Sequence, residues 1–159
     1  FGAEDFTAEA FGRQMDINVM GTVNCLDSVL ARMRQRNSGH IAVVSSLTAY
    51  RGLPYASAYG ASKAALTNMC EAMKPELDAL GIQMTVIHPG FVKTPLTDQN
   101  EFAMPFLMEA EEAARRIVDG LERGTFEIAF PRRLAFLLKV ARCLPYGLYF
   151  AMTRRLVKT

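Results

Sequence analysis

Three side chains in the middle of the chain have the types and the spacing for acid–base chemistry. Tyr59 is followed four residues later by Lys63, and Ser46 precedes Tyr59 by thirteen residues. Residues four apart share one face of a helix, so Lys63 can place its ammonium beneath the Tyr59 ring. A free tyrosine loses its proton only near pH 10, and a neighbouring positive charge stabilises the phenolate. Such a tyrosine can exchange a proton with an oxygen atom that the Ser46 hydroxyl holds in place.

The residues around this group predict the elements that position it. Residues 41–44, Ile-Ala-Val-Val, are a short apolar run rich in β-branched side chains, which is typical of a strand buried on both faces of a parallel sheet. Ser46 then lies at the carboxyl end of this strand, where open α/β sheets bind their ligands. Tyr59 begins a predicted helix that ends at Gly81, which has the position of a C-cap. Pro75 is expected to kink this helix or to shift its hydrogen bonding locally.

The rest of the chain predicts further helices and strands. Residues 7–36 form a long helical pattern, which Thr7 can cap and in which Gly21 marks an expected bend. Strands are predicted at residues 82–87 and 126–130, and a helix with an acidic first turn is predicted at residues 109–122.

These features together resemble the short-chain dehydrogenase/reductase family. Its active site is a Ser, twelve residues of any type and then Tyr-x-x-x-Lys, as at Ser46, Tyr59 and Lys63. The resemblance implies that Tyr59 is the general acid/base, that Lys63 stabilises its phenolate and holds the nicotinamide ribose, and that Ser46 binds the substrate oxygen. Asn18, three residues before Gly21, also matches the family. It would distort its helix and hold a water in a proton relay to Lys63; without the family, it is an ordinary solvated helix residue.

A second motif of the family follows the strand at residues 82–87. The family pattern Pro-Gly-x-Val-x-Thr occurs here as Pro-Gly-Phe-Val-Lys-Thr, beginning at Pro89. The resemblance implies that Pro89 and Gly90 turn the chain over the nicotinamide, and that the Val92 backbone and the Thr94 hydroxyl bind its carboxamide. A Pro-Gly pair alone is an ordinary turn, and its position one helix and one strand after Tyr59 is what favours the functional interpretation.

The family resemblance implies a doubly wound parallel sheet, an α/β Rossmann-like fold, of which this chain is the C-terminal part. The family opens with a strand and a Thr-Gly-x-x-x-Gly-x-Gly turn that seats the pyrophosphate at a helix N-terminus, and this sequence has no such turn. We therefore expect residues 1–130 to be an incomplete Rossmann-like catalytic domain that lacks roughly 80 to 100 residues with the first four strands. The isolated fragment is then expected to be inactive.

The implied function is an NAD- or NADP-dependent oxidoreductase that interconverts a carbonyl and an alcohol by hydride transfer. Two alternatives stay open. Sugar epimerases and dehydratases share Tyr-x-x-x-Lys but usually carry the Ser or Thr farther upstream, and a non-catalytic binding or regulatory protein can have the same fold. Family members typically pair two long helices across a two-fold axis, so a homodimer or homotetramer is expected.

Composition and cysteine spacing narrow the class of protein. The chain is 50% hydrophobic and 21% charged, which is ordinary for one globular domain. Its three scattered cysteines favour neither a disulfide framework nor a metal site, and a reducing cytoplasmic location is expected, with no nucleic-acid partner. His88 is interpreted as a lining or structural residue and His40 as a surface residue. No basic segment followed by an apolar one opens the chain, so a signal peptide is not predicted.

Two further segments each have two interpretations. Residues 95–108 are an irregular stretch rich in Met and Phe. In the family this position is a substrate lid, which favours a lipophilic substrate, and the alternative is a loop that only packs on the core. Residues 131–159 are a basic extension: they contain seven Lys and Arg and no acidic residue, whereas residues 1–130 contain 11 basic and 16 acidic residues.

The basic extension predicts an amphipathic helix that starts near Pro131. Its apolar face is predicted to hold Leu134, Leu137, Leu138, Ala141 and Leu144, and its opposite face Arg132, Arg133, Lys139 and Arg142. This helix can lie peripherally on an anionic membrane, or its apolar face can cover the substrate cleft or a subunit contact. Its apolar runs are shorter than the roughly 18 to 20 residues that a spanning helix needs.

Overall fold

A computed structural model describes residues 2–95, 97 and 104–157, and it consists of parallel strands flanked by helices. The strands are β1 (Gly39–Val44), β2 (Ile82–Pro89) and β3 (Glu127–Phe130). The helices are α1 (Ala8–Met15), α2 (Gly21–Arg36), α3 (Ser57–Ala79), α4 (Ala110–Glu122), α5 (Arg132–Arg142) and α6 (Tyr146–Thr153). The predicted α/β fold class is confirmed.

The sheet has the order β1-β2-β3, and both strand pairs are parallel. Gly39 pairs with Ile82 at the start of β1, and Val86 pairs with Glu127 at the start of β3. The carboxyl ends of all three strands therefore meet at one edge of the sheet, which is where an open α/β sheet binds its ligands.

The two faces of the sheet are covered by different helices. Helices α2 and α3 cover one face, and α4 covers β2 and β3 on the other. The first core contains Leu26, Ile41, Val43, Leu66, Cys70, Leu77, Ile82, Met84 and Val86, and the second contains Ile87, Met108, Ala113, Ile128 and Phe130.

The prediction that β1 is buried on both faces is wrong. Ile41 and Val43 point into the core, but Ala42 and Val44 are exposed, and 52% of the surface of Val44 is accessible. The reason is that α2 and α3 cover one face of β1, whereas α4 lies over β2 and β3 on the other face of the sheet. A continuous apolar run does not by itself distinguish one covered face from two.

The long helical segment predicted at residues 7–36 is present but contains an irregular turn. Thr7 caps it, because its hydroxyl accepts a hydrogen bond from the Ala10 N–H at 3.1 Å. Residues 16–20 form a π-helical turn between α1 and α2, immediately before the bend expected at Gly21. Asn37, in the left-handed conformation with φ of 49°, ends the segment.

Helix α3 carries Tyr59 and Lys63 in its first two turns and runs without a break through Pro75. Gly81 follows its end with φ of +68°, as a C-cap glycine does. A Cβ atom at Gly81 would lie 2.7 Å from the Asn37 carbonyl oxygen, so the close approach of the two helix ends also requires glycine.

The C-terminal extension folds as two helices rather than one. Helix α5 begins after Pro131 as predicted, and Ala141 is buried on its apolar face as expected. Leu137 is exposed and does not belong to that face, and Ala135, which was not predicted there, is buried. Helix α6 was not predicted from the sequence. Among the described residues no helix is long and apolar enough to cross a membrane.

The contact between α4 and β3 gives a test of the packing. A Cβ atom at Gly120 would lie 2.5 Å from both Cδ1 and Cγ1 of Ile128, whereas a Cβ at Gly12 in α1 would meet nothing within 4 Å. We expect Gly120→Ala to lower the free energy of unfolding by about 1 to 3 kcal/mol through overpacking. Gly12→Ala should raise it by about 0.5 to 1 kcal/mol through helix propensity. Chemical denaturation measures both, and equal effects of the two substitutions would contradict this packing.

Candidate active site

Tyr59 and Lys63 lie together at the carboxyl edge of the sheet. The Lys63 ammonium nitrogen is 5.7 Å from the centroid of the Tyr59 ring and donates a hydrogen bond to the Val44 carbonyl oxygen at 2.9 Å. Lys63 is therefore tied to the end of β1, and partial burial lowers the pKa of its ammonium. Tyr59 is 40% exposed, so a ligand can reach its ring. The i,i+4 juxtaposition predicted from the sequence is present.

Ser46 is buried directly after β1, where it caps a short 3-10 turn at residues 47–49. Its Oγ accepts a hydrogen bond from the Thr48 N–H at 3.2 Å. That bond occupies an oxygen lone pair and leaves the O–H proton of Ser46 available as a donor. Ser46 thus lies at the edge of the sheet predicted for it, two residues beyond the carbonyl that holds Lys63.

Asn18 lies in the π-helical turn and contacts Ser62 of α3, a residue that sequence reasoning did not identify. Its Nδ2 donates to Ser62 Oγ at 2.9 Å, and Ser62 Oγ donates to the Tyr59 carbonyl oxygen at 2.8 Å. The Asn18 carbonyl oxygen accepts a hydrogen bond from the Thr22 hydroxyl at 2.8 Å. The local helix distortion expected at Asn18 is present, and its amide contacts Ser62, the residue before Lys63.

The Pro89-Gly90 turn is packed tightly against the protein. The Gly90 N–H donates to the Phe130 carbonyl oxygen at 2.7 Å, and a Cβ atom at Gly90 would lie 2.9 Å from Cδ of Pro131 and 3.3 Å from Cδ1 of Leu47. Glycine is therefore required here by the close approach of the ends of the strands. This structural reason is sufficient without any ligand.

The segment after this turn is held by threonine hydroxyls. Thr97 Oγ1 donates to the Val92 carbonyl oxygen at 2.8 Å and lies 3.3 Å from Thr94 Oγ1. Val92 also forms an isolated bridge with Met108. Half of the lid predicted at residues 95–108 lies outside the described residues. Of the part that is described, Phe106 and Leu107 are exposed and Met108 is buried.

No group of three or more metal-ligating side chains occurs within residues 2–95, 97 and 104–157. The three cysteines are free thiols, with Cys70 buried in the first core. The described residues thus present hydroxyl, amide and ammonium groups at the edge of the sheet, which suit proton transfer and hydrogen bonding to a polar ligand.

A sequence model of the family described as short chain dehydrogenase matches residues 2–104, which is more than half of the chain. The chain belongs to this short-chain dehydrogenase family. The motif residues from Asn18 to Thr94 all fall within the matched part. The family membership predicted from the sequence motifs is confirmed.

Relatives and solved structures agree with this assignment. The chain is 44% identical, over 89% of its length, to an uncharacterized oxidoreductase of Myxococcus xanthus, of which it covers 56%. It is 30% identical, over 92% of its length, to 17-beta-hydroxysteroid dehydrogenase 13 of Rattus norvegicus, of which it covers 50%. A crystal structure of a short chain dehydrogenase from Burkholderia cenocepacia in complex with NADP superposes with a TM-score of 0.80 at 26% identity, covering 98% of this chain and 64% of that one. The chain therefore spans about half the length of the curated relatives it matches.

Beyond the family motif, this short-chain dehydrogenase has a buried polar network that sequence reasoning missed. Ser45 Oγ lies 2.8 Å from Thr67 Oγ1 and donates to the Lys63 carbonyl oxygen at 2.9 Å. Thr67 Oγ1 lies 3.0 Å from His88 Nε2. His88 Nδ1 is 3.4 Å from Glu127 Oε1, without the geometry of a hydrogen bond. The network therefore brings the Lys63 turn of α3 together with Ser45 after β1, His88 near the carboxyl end of β2 and Glu127 at the start of β3.

Burial controls the protonation of this network. His88 is 1% exposed, and burial lowers its pKa to about 4, although the Glu127 carboxylate acts in the opposite direction. Burial raises the pKa of the Glu127 carboxyl, but hydrogen bonds from Lys139 and Tyr50 outweigh it, and the net pKa lies below the ordinary value. The pKa of Tyr50 is raised by burial and by Glu127. His88 is therefore neutral at pH 7 beside an ionised carboxylate.

The predictions made from the sequence for the two histidines have different outcomes. His88 is structural, as expected, but it has an acidic neighbour that was not foreseen. His40 is not a free surface residue: it is partly buried, and its Nε2 lies 2.8 Å from the hydroxyl of the buried Thr85. Pairing of β1 with β2 brings these two side chains together, and no local signal in the sequence indicates it.

Proposed function

We propose that the full-length protein that contains this chain is an NAD- or NADP-dependent oxidoreductase that interconverts a carbonyl and an alcohol. The observation that carries this proposal is the position of the Lys63 ammonium, 5.7 Å from the Tyr59 ring at the carboxyl edge of a parallel sheet, in a chain of the short-chain dehydrogenase family. The Burkholderia cenocepacia structure, a complex with NADP, supports the cofactor class.

The side chains at this edge fit a nicotinamide nucleotide. Lys63 uses one ammonium proton on the Val44 carbonyl and has two more donors to offer, which suits a ribose diol. Tyr59 is accessible beside it. The residues that would hold the cofactor are Tyr59, Lys63, Pro89, Gly90, Val92 and Thr94. Of these, Gly90 packs closely against Pro131 and Leu47, and we assign to it the shape of the turn.

Side chains of this protein donate a proton to the substrate oxygen or accept one from it. When bound, the nicotinamide supplies or accepts the hydride at the substrate carbon. In the direction of reduction, the Tyr59 hydroxyl gives its proton to the developing alkoxide, and in oxidation its oxygen takes the proton from the alcohol. The Lys63 ammonium stabilises the negative charge that then forms on the Tyr59 oxygen. Ser46 donates its free O–H to the substrate oxygen and so orients it.

Asn18 has a positioning role in this scheme. Its amide holds Ser62, and Ser62 in turn holds the carbonyl oxygen of Tyr59. This chain of two hydrogen bonds fixes the first turn of α3, on which the acid/base group is carried. A water relay from Asn18 to Lys63 is compatible with the position of the two side chains on neighbouring helices, and it remains part of the proposal.

A lipophilic substrate is proposed on two grounds. The described part of the lid segment exposes Phe106 and Leu107, which can cover an apolar molecule. The relative from Rattus norvegicus is named as a 17-beta-hydroxysteroid dehydrogenase, which denotes a lipophilic substrate for that protein. The competing class, a sugar epimerase or dehydratase, has no such support in the described residues.

Replacing Lys63 tests the cofactor-binding part of the proposal. Lys63→Ala removes the ammonium near the Tyr59 ring and the bond to Val44, so we expect turnover to fall by on the order of 100-fold and the Kd for NAD(P)H to rise by about tenfold or more. Lys74→Ala is the matched control on the same helix, because Lys74 forms a surface ion pair with the exposed Asp78. Calorimetric titration of the full-length protein gives Kd. A Lys63→Ala enzyme that binds and turns over like Lys74→Ala would contradict the proposal.

We also propose that the protein forms a two-fold dimer through α2 and α3. The π turn and α2 expose Ile17, Met20 and Val29. Val29→Asp, which introduces a charge on the exposed side of α2, should convert the dimer to a monomer in sedimentation velocity. Val118→Asp on α4 should not. Met73 of α3 packs against the core, so a charge there would test folding instead. A monomeric unsubstituted protein would refute this arrangement.

A further inference from the structure

The C-terminal helices expose a group of large apolar side chains. We name this group the tail surface: it consists of Phe136, Leu137 and Val140 of α5 and Leu148, Phe150 and Met152 of α6. Phe136 is 67% exposed and Leu148 is 62% exposed. Their helices are consecutive and are separated only by residues 143–145. Single exposed apolar residues are ordinary, but a group of this size on adjacent helices indicates an interaction site.

Helix α6 has no charged side chain to offer to water. Its sequence at residues 146–153, Tyr-Gly-Leu-Tyr-Phe-Ala-Met-Thr, is apolar on nearly every side, and only Tyr149 and Thr153 are buried against the protein. A helix that is apolar all round is normally enclosed on all sides. The protein covers only one side of α6, so the exposed sides are suited to contact with another apolar environment.

The exposure of the tail surface does not come from a loosely attached helix. The Tyr149 hydroxyl donates to the Gly52 carbonyl oxygen at 2.5 Å, and the Arg51 guanidinium lies 3.9 Å from the centroid of the Tyr149 ring. Arg51 also donates to the carbonyl oxygens of Ala141 and Leu144 at the end of α5, at 2.6 and 2.7 Å. Both helices are thereby fixed to the loop that follows Ser46.

Exposed arginines flank the tail surface. On α5, Arg132 and Arg133 precede Phe136 and Leu137 by four residues, so they share the outward face of the helix. Arg154 and Arg155 follow α6 directly and are exposed. No acidic residue occurs in residues 131–159. The exposed charges of this segment are therefore all basic and accompany exposed apolar side chains, which complements a partner that is apolar inside and anionic outside.

We propose that the tail surface docks the protein on an anionic lipid bilayer. The apolar side chains of α5 and α6 would enter the boundary between head groups and acyl chains, and the arginines would contact the lipid phosphates. Helix α6, with eight residues, lies on the bilayer and does not span it. This inference is independent of the proposed oxidoreductase function, because none of its residues belongs to the candidate active site.

Vesicle flotation of the full-length protein tests the proposal. The probes are vesicles of phosphatidylcholine alone and of phosphatidylcholine with phosphatidylglycerol. We expect flotation with the anionic vesicles at low salt, little with the neutral ones, and weaker binding as salt shortens the Debye length below its ~10 Å at 0.1 M. Absence of flotation with anionic vesicles at low salt would overturn the proposal.

Substitutions separate the two parts of the interaction. The double variant Leu137→Ser/Leu148→Ser should weaken anionic-vesicle binding by about tenfold or more, whereas the exposed control Val118→Ser should not change it. Arg132→Gln/Arg133→Gln should also weaken anionic-vesicle binding by on the order of tenfold or more, and should make this binding less dependent on salt. The control Arg115→Gln/Arg123→Gln, in α4 and at its C-cap, should have a smaller effect.

Folding and self-association are monitored in the same variants. Unchanged thermal unfolding midpoints would show that weaker binding arises at the surface, because all the substituted side chains are exposed. If the tail variants bind vesicles as tightly as Val118→Ser, the proposal is wrong. If Leu137→Ser/Leu148→Ser instead dissociates an oligomer in sedimentation and the parent does not float, a second copy of the protein occupies the surface.

Discussion

Tyr59→Phe is expected to reduce turnover of the full-length enzyme by about 100-fold to 10,000-fold, the range that loss of a positioned general acid produces. The substitution removes the hydroxyl and keeps the ring, so the cation–ring contact with Lys63 can persist. Since the substituted side chain is 40% exposed, the fold should not change. Cofactor Kd should therefore stay within a few-fold of the parent value while kcat falls.

The matched control is Tyr55→Phe. Tyr55 is also an exposed tyrosine, lies four residues before Tyr59, and precedes the helix that carries the proposed acid/base group. Steady-state kinetics and calorimetric titration of both variants separate the chemical step from binding. Retention of more than about a tenth of the parent turnover in Tyr59→Phe would remove Tyr59 from its assigned role.

Acidification is expected to destabilise the protein through His88. Burial holds its pKa at about 4, whereas an unfolded histidine titrates at about 6.5. Between these values the unfolded chain binds a proton at this position and the folded chain does not. The stabilisation is therefore complete above about pH 6.5 and is lost as the pH falls towards 4. The difference in pKa corresponds to as much as about 3 kcal/mol.

The measurement is urea unfolding at a series of pH values between about 7 and 4, in the parent and in His88→Gln. Glutamine can still bond with Thr67 but does not titrate, so the slope of stability against pH in this window should be markedly smaller in the variant. Glu127 adds its own loss of stability at lower pH, because its folded pKa lies below the ordinary value. Equal slopes in the parent and His88→Gln would show that His88 is not the titrating group.

Local patterns predicted the parts of the site that depend on neighbouring residues in the sequence. Tyr59 and Lys63 could be paired from their spacing, because a helix brings i and i+4 together wherever it lies. Likewise, β1 and β2 were evident as short apolar runs bounded by turn residues. The family motif then supplied the order of Asn18, Ser46 and Thr94, which local patterns alone do not relate to one another.

The buried network could not be predicted, because sheet register creates it. Glu127 lies 39 positions after His88, and they meet only because β2 and β3 pair in parallel. Thr67 reaches His88 because α3 packs across the sheet. A polar residue within a strand gives no indication of its cross-strand partner, so each of these side chains was individually unremarkable in the sequence.

The C-terminal helices show a second limit of periodicity. In α5, apolar residues occur on both the buried and the outward face, so the pattern did not distinguish the exposed Leu137 from the buried Ala135. Helix α6 is apolar nearly all round and has no 3.6-residue period to detect. The same property that concealed α6 from pattern analysis makes its exposed surface a candidate for contact with lipid.

The central claim, that the complete protein transfers hydride to a carbonyl carbon, is tested most directly by isotope transfer. Full-length protein is incubated with nicotinamide cofactor deuterated at its transferable position and with a panel of lipophilic ketones and aldehydes. We predict that the product alcohol carries deuterium on the former carbonyl carbon, in equimolar amount with oxidised NAD or NADP. Product without net cofactor oxidation would indicate an epimerase, and cofactor binding without any labelled product across the panel would contradict the assignment to carbonyl reduction.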